Sequence, residues 1–179
     1  MKKILVFVLG IFLLTGCNNL MNTPTKRVEN LLSKYQKQDS EVLRQLDDTL
    51  LSETLLSNDQ KERYRELMIR QYNNLAYTVK NETIDGKTAV VEVEIEVYDY
   101  NKAVTASEDY LLGNATEFQD DSGQVNNTKY NDYKIKQMED IKDKVTYTIN
   151  FTLSKVDDNW IVDDLTETER MKIHGLYAY

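Results

Sequence analysis

The spacing of hydrophobic positions changes several times along the chain. Between Thr23 and Leu75 these positions recur every three or four residues, which predicts three amphipathic helices. Thr23-Pro24 starts the first helix, Ser40 starts the second, and Ser57-Asn58-Asp59-Gln60 forms a capping box for the third. The three hydrophobic stripes are Val28, Leu31, Leu32 and Tyr35; then Leu43, Leu46 and Leu50; and finally Tyr64, Leu67, Met68 and Tyr72.

After Leu75 the period falls to two residues, which is typical of strands with one buried face. Residues 76–84 form one predicted strand, and Asp85-Gly86 predicts a hairpin turn into a longer strand over residues 88–100. In the longer strand the inward face is Val91, Val93, Ile95 and Val97, and the outward face is Glu92, Glu94 and Glu96. The outward face is expected to be wet.

A weaker helical pattern interrupts the strands. Residues 101–112 predict a helix, and residues 113–128 are rich in Gly, Asn and Asp, which predicts a mobile loop. Residues 130–142 predict a further helix, with Met138 and Ile141 as its apolar contacts.

The final third of the chain repeats the alternation and ends in a helix. The inward positions of this strand are Val145, Tyr147, Ile149, Phe151 and Leu153. Asp157-Asp158-Asn159 predicts a turn into a short strand over residues 160–162. Thr166 with Glu169 forms a capping box, and Gly175 ends the helix. We therefore predict an α+β fold, with amphipathic helices packed on a curved antiparallel sheet of about four strands.

The first sixteen residues have a different character. Lys2 and Lys3 precede an unbroken apolar run over residues 4–14, and Leu14-Thr15-Gly16-Cys17 closes the segment. This order is that of an export signal peptide. A membrane-spanning helix is the alternative, but residues 4–16 fall short of the roughly 20 residues needed to cross the hydrocarbon core.

The closing tetrapeptide resembles a lipobox, the Leu-(Ala/Ser/Thr)-(Gly/Ala)-Cys pattern of bacterial lipoproteins. The resemblance implies that the Cys17 thiol takes a diacylglycerol thioether and that the chain is cut before Cys17. Two or more acyl chains, at about 0.8 kcal/mol per methylene, would make attachment to the cell membrane permanent. The predicted organisation is a signal peptide (residues 1–16), a lipidated cysteine with a short tether (17–23) and one domain (24–179), on the extracytoplasmic face.

The net charge and the cysteine content exclude some classes of partner and of metal site. The formal net charge is -8, and loss of Lys2 and Lys3 leaves 20 basic residues against 30 acidic residues, or -10. Such a surface repels phosphate backbones, so we do not expect nucleic acid as a partner. Cys17 is the single cysteine and His174 the single histidine, which excludes a Cys/His zinc site in the domain. We expect no cofactor and no metal.

Residues 24–165 resemble, in the order of their elements, the cystatin-like cone of the nuclear transport factor two-like, or ketosteroid isomerase-like, fold. The segment Asp-Asn-Trp-Ile-Val-Asp-Asp at residues 158–164 is similar to the D-G-x-W-x-I/V strand of small lipoproteins with that fold. The resemblance implies a sheet bent round the first helices to leave a pocket, which different members use for catalysis, ligand binding or pairing.

That pocket directs attention to polar residues on inward positions. Asp99 continues the register of Val91 to Val97, and a carboxylate there could act as a general base with Tyr147 as a hydrogen-bond donor. The alternative is a solvated acid at the end of the strand. His174 could be a base or a ligand, but its place in the last helical turn favours a cationic side chain that complements the helix dipole.

Three other features have a functional and a structural interpretation. Asp120-Asp121-Ser122-Gly123 is faintly similar to a calcium loop but lacks its closing glutamate, which favours a solvated turn. Tyr98 and Tyr100 fall on the glutamate face and are the tyrosines most expected to be exposed, so they are candidate ligand-binding residues. The glutamate row could attract a basic partner or be an ordinary solvated face.

No set of catalytic residues converges in the sequence. This favours a non-catalytic binding module at the membrane, with a protein, peptide or cell-wall ligand. The alternative is a small enzyme that uses Asp99 in a cone-shaped pocket. A third possibility is a domain that pairs through its sheet face, and the row Glu92, Glu94 and Glu96 argues against it because like charges would meet.

Overall fold

The computed structural model describes residues 22–178 as one antiparallel sheet with helices packed against it. The strands lie in the order β1-β2-β3-β4. They are β1 (Ala76–Asp85), β2 (Thr88–Tyr98), β3 (Lys144–Val156) and β4 (Asn159–Val162). The helices are α1 (Pro24–Gln36), α2 (Ser40–Ser52), α3 (Asn58–Asn73), α4 (Tyr100–Gly113), α5 (Asn127–Asp140) and α6 (Glu167–His174), with a 3₁₀-helix at Ala115–Phe118.

Side-chain caps set most of the predicted helix ends. Thr23 accepts a hydrogen bond from the Lys26 amide, and Ser57 and Thr166 form full capping boxes with residues three positions further on. Gly175 ends α6 in the left-handed conformation, with φ of 70°. These features satisfy the amides and carbonyls that a helix end leaves unpaired, so these four predicted ends are confirmed. Helix α5 instead runs over Asn127–Asp140, where residues 130–142 were predicted.

Helix α2 begins at the predicted residue but buries a different stripe. Asp39, and not Ser40, caps it by accepting a hydrogen bond from the Glu41 amide. Val42 is buried with Leu46 and Leu50, whereas Leu43 is half-buried. The predicted hydrophobic face was therefore one residue out of phase at the start of the helix.

Strands β2 and β3 are adjacent, although α4, the 3₁₀-helix and α5 separate them in sequence. Val93 pairs with Ile149 and Ile95 with Tyr147, so the inward residues of both strands form one layer of the core. Two of the three outward glutamates form ion pairs across strands: Glu94 lies 3.0 Å from Lys80, and Glu96 lies 2.9 Å from Lys144. The glutamate face is therefore a solvated face with cross-strand ion pairs.

The insertion between β2 and β3 is more ordered than predicted. Residues 113–128 contain the 3₁₀-helix and a bridge between Gln119 and Val125. Phe118 is buried, and three tyrosine rings surround it, those of Tyr110, Tyr130 and Tyr133. In α5 the buried hydrophobic residues are Met138, as predicted, and Ile135, while Ile141 is half-buried.

Gln71 joins three parts of the fold at the end of the sheet. Its buried amide accepts a hydrogen bond from the Tyr98 amide (2.9 Å) and donates one to the Tyr98 carbonyl (3.0 Å). Gly175 packs on the same atoms, since a Cβ there would lie 2.0 Å from the Tyr98 oxygen. Helices α3 and α6 are thereby fixed to the end of β2.

The predicted α+β class, with helices on an antiparallel sheet of four strands, is confirmed. The finer resemblance to the nuclear transport factor two-like cone remains a prediction. Residues 1–21, which include the predicted signal peptide and Cys17, lie outside the described residues, so the division of the chain at its N-terminus also remains a prediction.

Candidate functional site

A cavity of about 130 Å³ lies among four helices. It is lined mainly by apolar and aromatic side chains, because α1, α2, α3 and α6 each turn part of a buried stripe toward it. The lining residues that matter most are Tyr35, Val42, Leu46, Met68, Tyr72 and His174. This volume accommodates a small apolar group, such as an amino-acid side chain.

Tyr72 and His174 form the polar wall of this cavity. The Tyr72 hydroxyl lies 3.1 Å from Nε2 of His174, and the two ring centroids are 5.8 Å apart. Tyr35 packs edge-on against Tyr72, with centroids 5.2 Å apart and an angle of 71° between the rings. The hydrogen bond holds both rings in place, since it links α3 to α6 across the cavity.

Burial lowers the pKa of His174 to about 4, and the positive charge of Arg170 acts in the same direction. The imidazole is therefore neutral at pH 7. The prediction of a cationic His174 that complements the dipole of α6 is wrong, because the ring packs against Tyr72 in a low-dielectric site. Burial also raises the pKa of the Tyr72 hydroxyl.

A larger groove of about 560 Å³ adjoins the cavity and shares four lining residues with it, namely Tyr35, Val42, Gln45 and Arg170. Its outer part is charged. Lys34 and Glu41 form an ion pair at 2.7 Å on one side, and Asp163 and Asp164 line the other. Arg170 donates to the Leu165 carbonyl, which places its guanidinium between the charged groove and the apolar cavity.

This arrangement offers an apolar cavity, a neutral hydrogen-bonding pair and one guanidinium at the entrance. It is suited to binding a ligand with an apolar end and a polar or charged end. Sequence reasoning missed the site because its residues come from four separate helices. The many tyrosines at helical core positions are the sequence feature related to this site, and they do not by themselves indicate a cavity.

Asp99 does not continue the strand. β2 ends at Tyr98, and Asp99 is the N-cap of α4, where its carboxylate accepts a hydrogen bond from the Lys102 amide at 3.1 Å. The prediction that the strand extends to residue 100 is wrong, because β2 ends at Tyr98. The alternative of a solvated acid is also wrong, since Asp99 is 4% exposed and therefore buried, as an inward position would be. A cap at this position satisfies the free amides of the first turn.

Tyr147 lies further from Asp99 along the sheet than a hydrogen bond between the predicted acid–base pair requires. Its hydroxyl donates to the Tyr177 carbonyl at 2.9 Å, and its backbone pairs with Ile95. The Asp99 amide donates to the carbonyl of Asp143, the residue before β3, which is four positions from Tyr147, or about 13 Å along the strand. A catalytic role for Asp99 with Tyr147 remains a prediction, and it would have to bridge this separation.

Tyr98 keeps the register of the glutamate face, since Lys144 pairs with Glu96 and lies 5.8 Å from the Tyr98 ring centroid, whereas Tyr100 does not. Tyr98 is half-buried, and the Arg70 guanidinium lies 4.1 Å from its ring centroid. Tyr100 belongs to α4, is 0% exposed, and donates its hydroxyl to the Leu67 carbonyl. The prediction that Tyr100 is exposed is therefore wrong, because the chain turns into α4 at Asp99. A ligand-binding role for either tyrosine remains a prediction.

Asp120 organises its own turn. Its Oδ1 atom accepts hydrogen bonds from the Ser122 amide (2.8 Å), the Ser122 hydroxyl (2.6 Å) and the Gln124 amide (3.1 Å). These bonds, led by the one from the Ser122 hydroxyl, lower the pKa of the Asp120 carboxyl. Across residues 22–178, no group of three or more His, Cys, Asp and Glu side chains is placed to hold a metal ion.

The predicted lipidation residue, Cys17, lies outside the described residues. In the part of the chain that the structure does describe, no helix is both long enough and apolar enough to cross a bilayer.

No protein-family model matches this chain, and no curated protein matches it. Among solved structures it is similar to the crystal structure of ycdA from Bacillus subtilis, which is described as a lipoprotein candidate. The two share 13% sequence identity with a TM-score of 0.43, and the similarity covers 84% of this chain. It covers 46% of ycdA, so this chain spans about half the length of that protein. So distant a similarity does not identify a family.

Proposed function

We propose that this chain is a lipoprotein held at the extracytoplasmic face of the cell membrane by lipid on Cys17. Its domain is a non-catalytic binding module, and the ligand occupies the groove and the cavity bounded by α1, α2, α3 and α6. The lipobox at Leu14-Thr15-Gly16-Cys17 supports the anchor. The apolar cavity beside a charged groove supports the binding role.

The ligand chemistry follows from the two halves of the site. A small apolar side chain fits the cavity of about 130 Å³, and the adjoining groove presents Lys34, Glu41 and Arg170 to the polar part of the same ligand. A peptide, free or as part of a cell-wall fragment, combines these features. Binding of its apolar side chain would be driven by the surface removed from water, at about 25 cal/mol per Å².

The pKa directions in the site favour binding over proton transfer. A general acid or base is most effective when its pKa lies near the working pH. Burial moves the two polar groups of the cavity away from neutrality, lowering the pKa of His174 to about 4 and raising that of Tyr72. At pH 7 both side chains therefore donate or accept hydrogen bonds without exchanging a proton with the ligand.

The binding role is tested by thermal unfolding of the domain without residues 1–17, because a ligand that binds the native state raises the melting temperature. Peptides with one apolar side chain and a free carboxylate are compared with wall fragments. Arg170→Gln is expected to lose the shift, and Lys172→Gln, on the same helix but outside the site, is expected to keep it. Equal shifts in both variants would place the ligand elsewhere.

The anchor is tested by mass spectrometry of the protein made in its cell. We expect a chain that starts at Cys17 and carries lipid on the sulfur. Cys17→Ala is the matched variant, and it should be found without lipid while retaining the same circular dichroism spectrum. An unmodified thiol, or an intact Met1, would contradict the anchor.

A further inference from the structure

Asn22 fixes the start of the described chain at one end of the sheet. Its side chain donates to the Asp158 carbonyl at 2.8 Å and accepts from the Trp160 amide at 3.1 Å, both at the β3–β4 turn. The Arg27 guanidinium donates to the same Asn22 oxygen at 3.1 Å. Three bonds therefore hold the point at which the N-terminal segment leaves the domain.

Both hairpin turns of the sheet lie at this end. Thr88 pairs with Ser154, and the Lys155 amide donates to the Lys87 carbonyl, so the β1–β2 turn sits beside the β3–β4 turn. We call residues 84–88 and 155–160 the turn end. Ile84 and Val156 are about half exposed there, although both are large hydrophobic residues.

The length of chain between Cys17 and Asn22 limits how far the turn end can move from a lipid on Cys17. Asn22 lies five positions after Cys17, and a fully extended chain covers about 18 Å over that length. We propose that the turn end faces the lipid surface and that Ile84 and Val156 lie against its headgroup layer. This proposal rests on the proposed lipid anchor at Cys17.

The charge of the turn end means that the tether, and not electrostatic attraction, holds it there. Its acidic side chains outnumber its lysines, since Lys87 and Lys155 are accompanied by Glu82, Asp85, Asp157 and Asp158 in the immediate surroundings. Anionic headgroups would not attract such a surface. Exposed apolar side chains, on a domain held close by a short tether, are instead suited to a zwitterionic surface.

The same geometry orients the candidate site. Helix α1 starts beside Asn22 and runs for 13 residues, or about 20 Å, away from the turn end. Its last turn carries Tyr35, and Gln36 donates to the Leu75 carbonyl at the opposite end of the sheet. With the turn end on the lipid, the cavity around Tyr35 and His174 opens on the side away from the membrane.

The test uses the full-length protein, made with its lipid and placed in phosphatidylcholine vesicles that contain a lipid with a nitroxide on its headgroup. Lipid occupies the sulfur of the single cysteine, so Lys87→Cys and Lys37→Cys each provide one free thiol for a fluorophore. Both lysines are exposed, and Lys37 follows the far end of α1. The melting temperatures of both variants should match that of the unsubstituted protein.

We expect the nitroxide lipid to quench the fluorophore at position 87 and to leave the fluorophore at position 37 at its intensity in vesicles without nitroxide. Equal quenching at both positions, or stronger quenching at position 37, would overturn the orientation while the anchor stands. Two fluorophores per chain would show a free Cys17, which overturns the anchor and this inference together.

Discussion

The Tyr72 hydroxyl lies 3.1 Å from Nε2 of His174, although 102 positions separate the two residues in the sequence. This contact brings the last turn of α6 against the last turn of α3 and closes the cavity between them. It also puts the single imidazole of the chain in a site that disfavours its charged form. The titration of His174 can therefore be measured as a test of this packing.

We expect His174 to make the domain less stable in mild acid. Its pKa is about 4 in the folded state and about 6.5 when unfolded, so the unfolded state takes up a proton first as the pH falls. The neutral His174 side chain makes its full contribution to the free energy of unfolding above about pH 6.5. That contribution is lost as the pH falls toward 4, and about 2 kcal/mol of it is lost by pH 5. Urea unfolding at pH 7 and pH 5 measures it.

The control for this measurement is His174→Gln, which retains a polar group beside Tyr72 but does not titrate. Carboxylates elsewhere contribute to the pH dependence of both proteins, so the informative quantity is the difference between them. The variant should lose less free energy of unfolding than the wild type between pH 7 and pH 5. Equal losses would show that the imidazole is not held neutral.

Gly175→Ala should be strongly destabilising. A Cβ at this position would lie 2.0 Å from the Tyr98 carbonyl oxygen and 2.3 Å from Nε2 of Gln71, and the φ of 70° is itself unfavourable for alanine. We expect a loss of about 4 kcal/mol. Gly86→Ala has positive φ but open space, so it should cost about 1 kcal/mol. Denaturant unfolding that ranked the two equally would be inconsistent with the close packing at Gly175.

Gln71→Ala should cost about 3 kcal/mol, because it leaves the amide and carbonyl of Tyr98 without these partners in a buried place. Gln124→Ala is the matched control, since the Gln124 side chain is exposed, and it should change the free energy of unfolding by less than about 0.5 kcal/mol. The same unfolding experiment compares them. A small effect at Gln71 would mean that another group replaces its two bonds.

Asp99→Ala and Asp99→Asn separate the capping role from a chemical one. Alanine removes the acceptor for the Lys102 amide and should cost about 1 kcal/mol, whereas asparagine caps as well as aspartate and should cost little. Thermal unfolding of both variants checks this order. If Asn destabilised the domain as much as Ala, the carboxylate charge, and not the cap, would be the important property.

Local patterns in the sequence were sufficient for most of the secondary structure. Thr23, Ser57 and Thr166 cap helices where the sequence predicted it, and Val91 to Val97 form the buried face of β2. These features depend on side chains within three or four positions of each other, and for that reason they can be read without the fold. The end of β2 was misjudged because alternation continues through Asp99, whose capping role competes with the strand.

The sequence by itself determined the α+β class, the capped ends of α1, α3 and α6, and the buried strand faces, since each depends on neighbouring residues. Only the tertiary structure decided that Val42 and not Leu43 is buried, that Tyr100 is covered, and that His174 is neutral. Each of these outcomes depends on what a distant segment places beside the residue. Burial and the pKa that follows from it are properties of that packing, and the spacing of residues along the chain does not encode them.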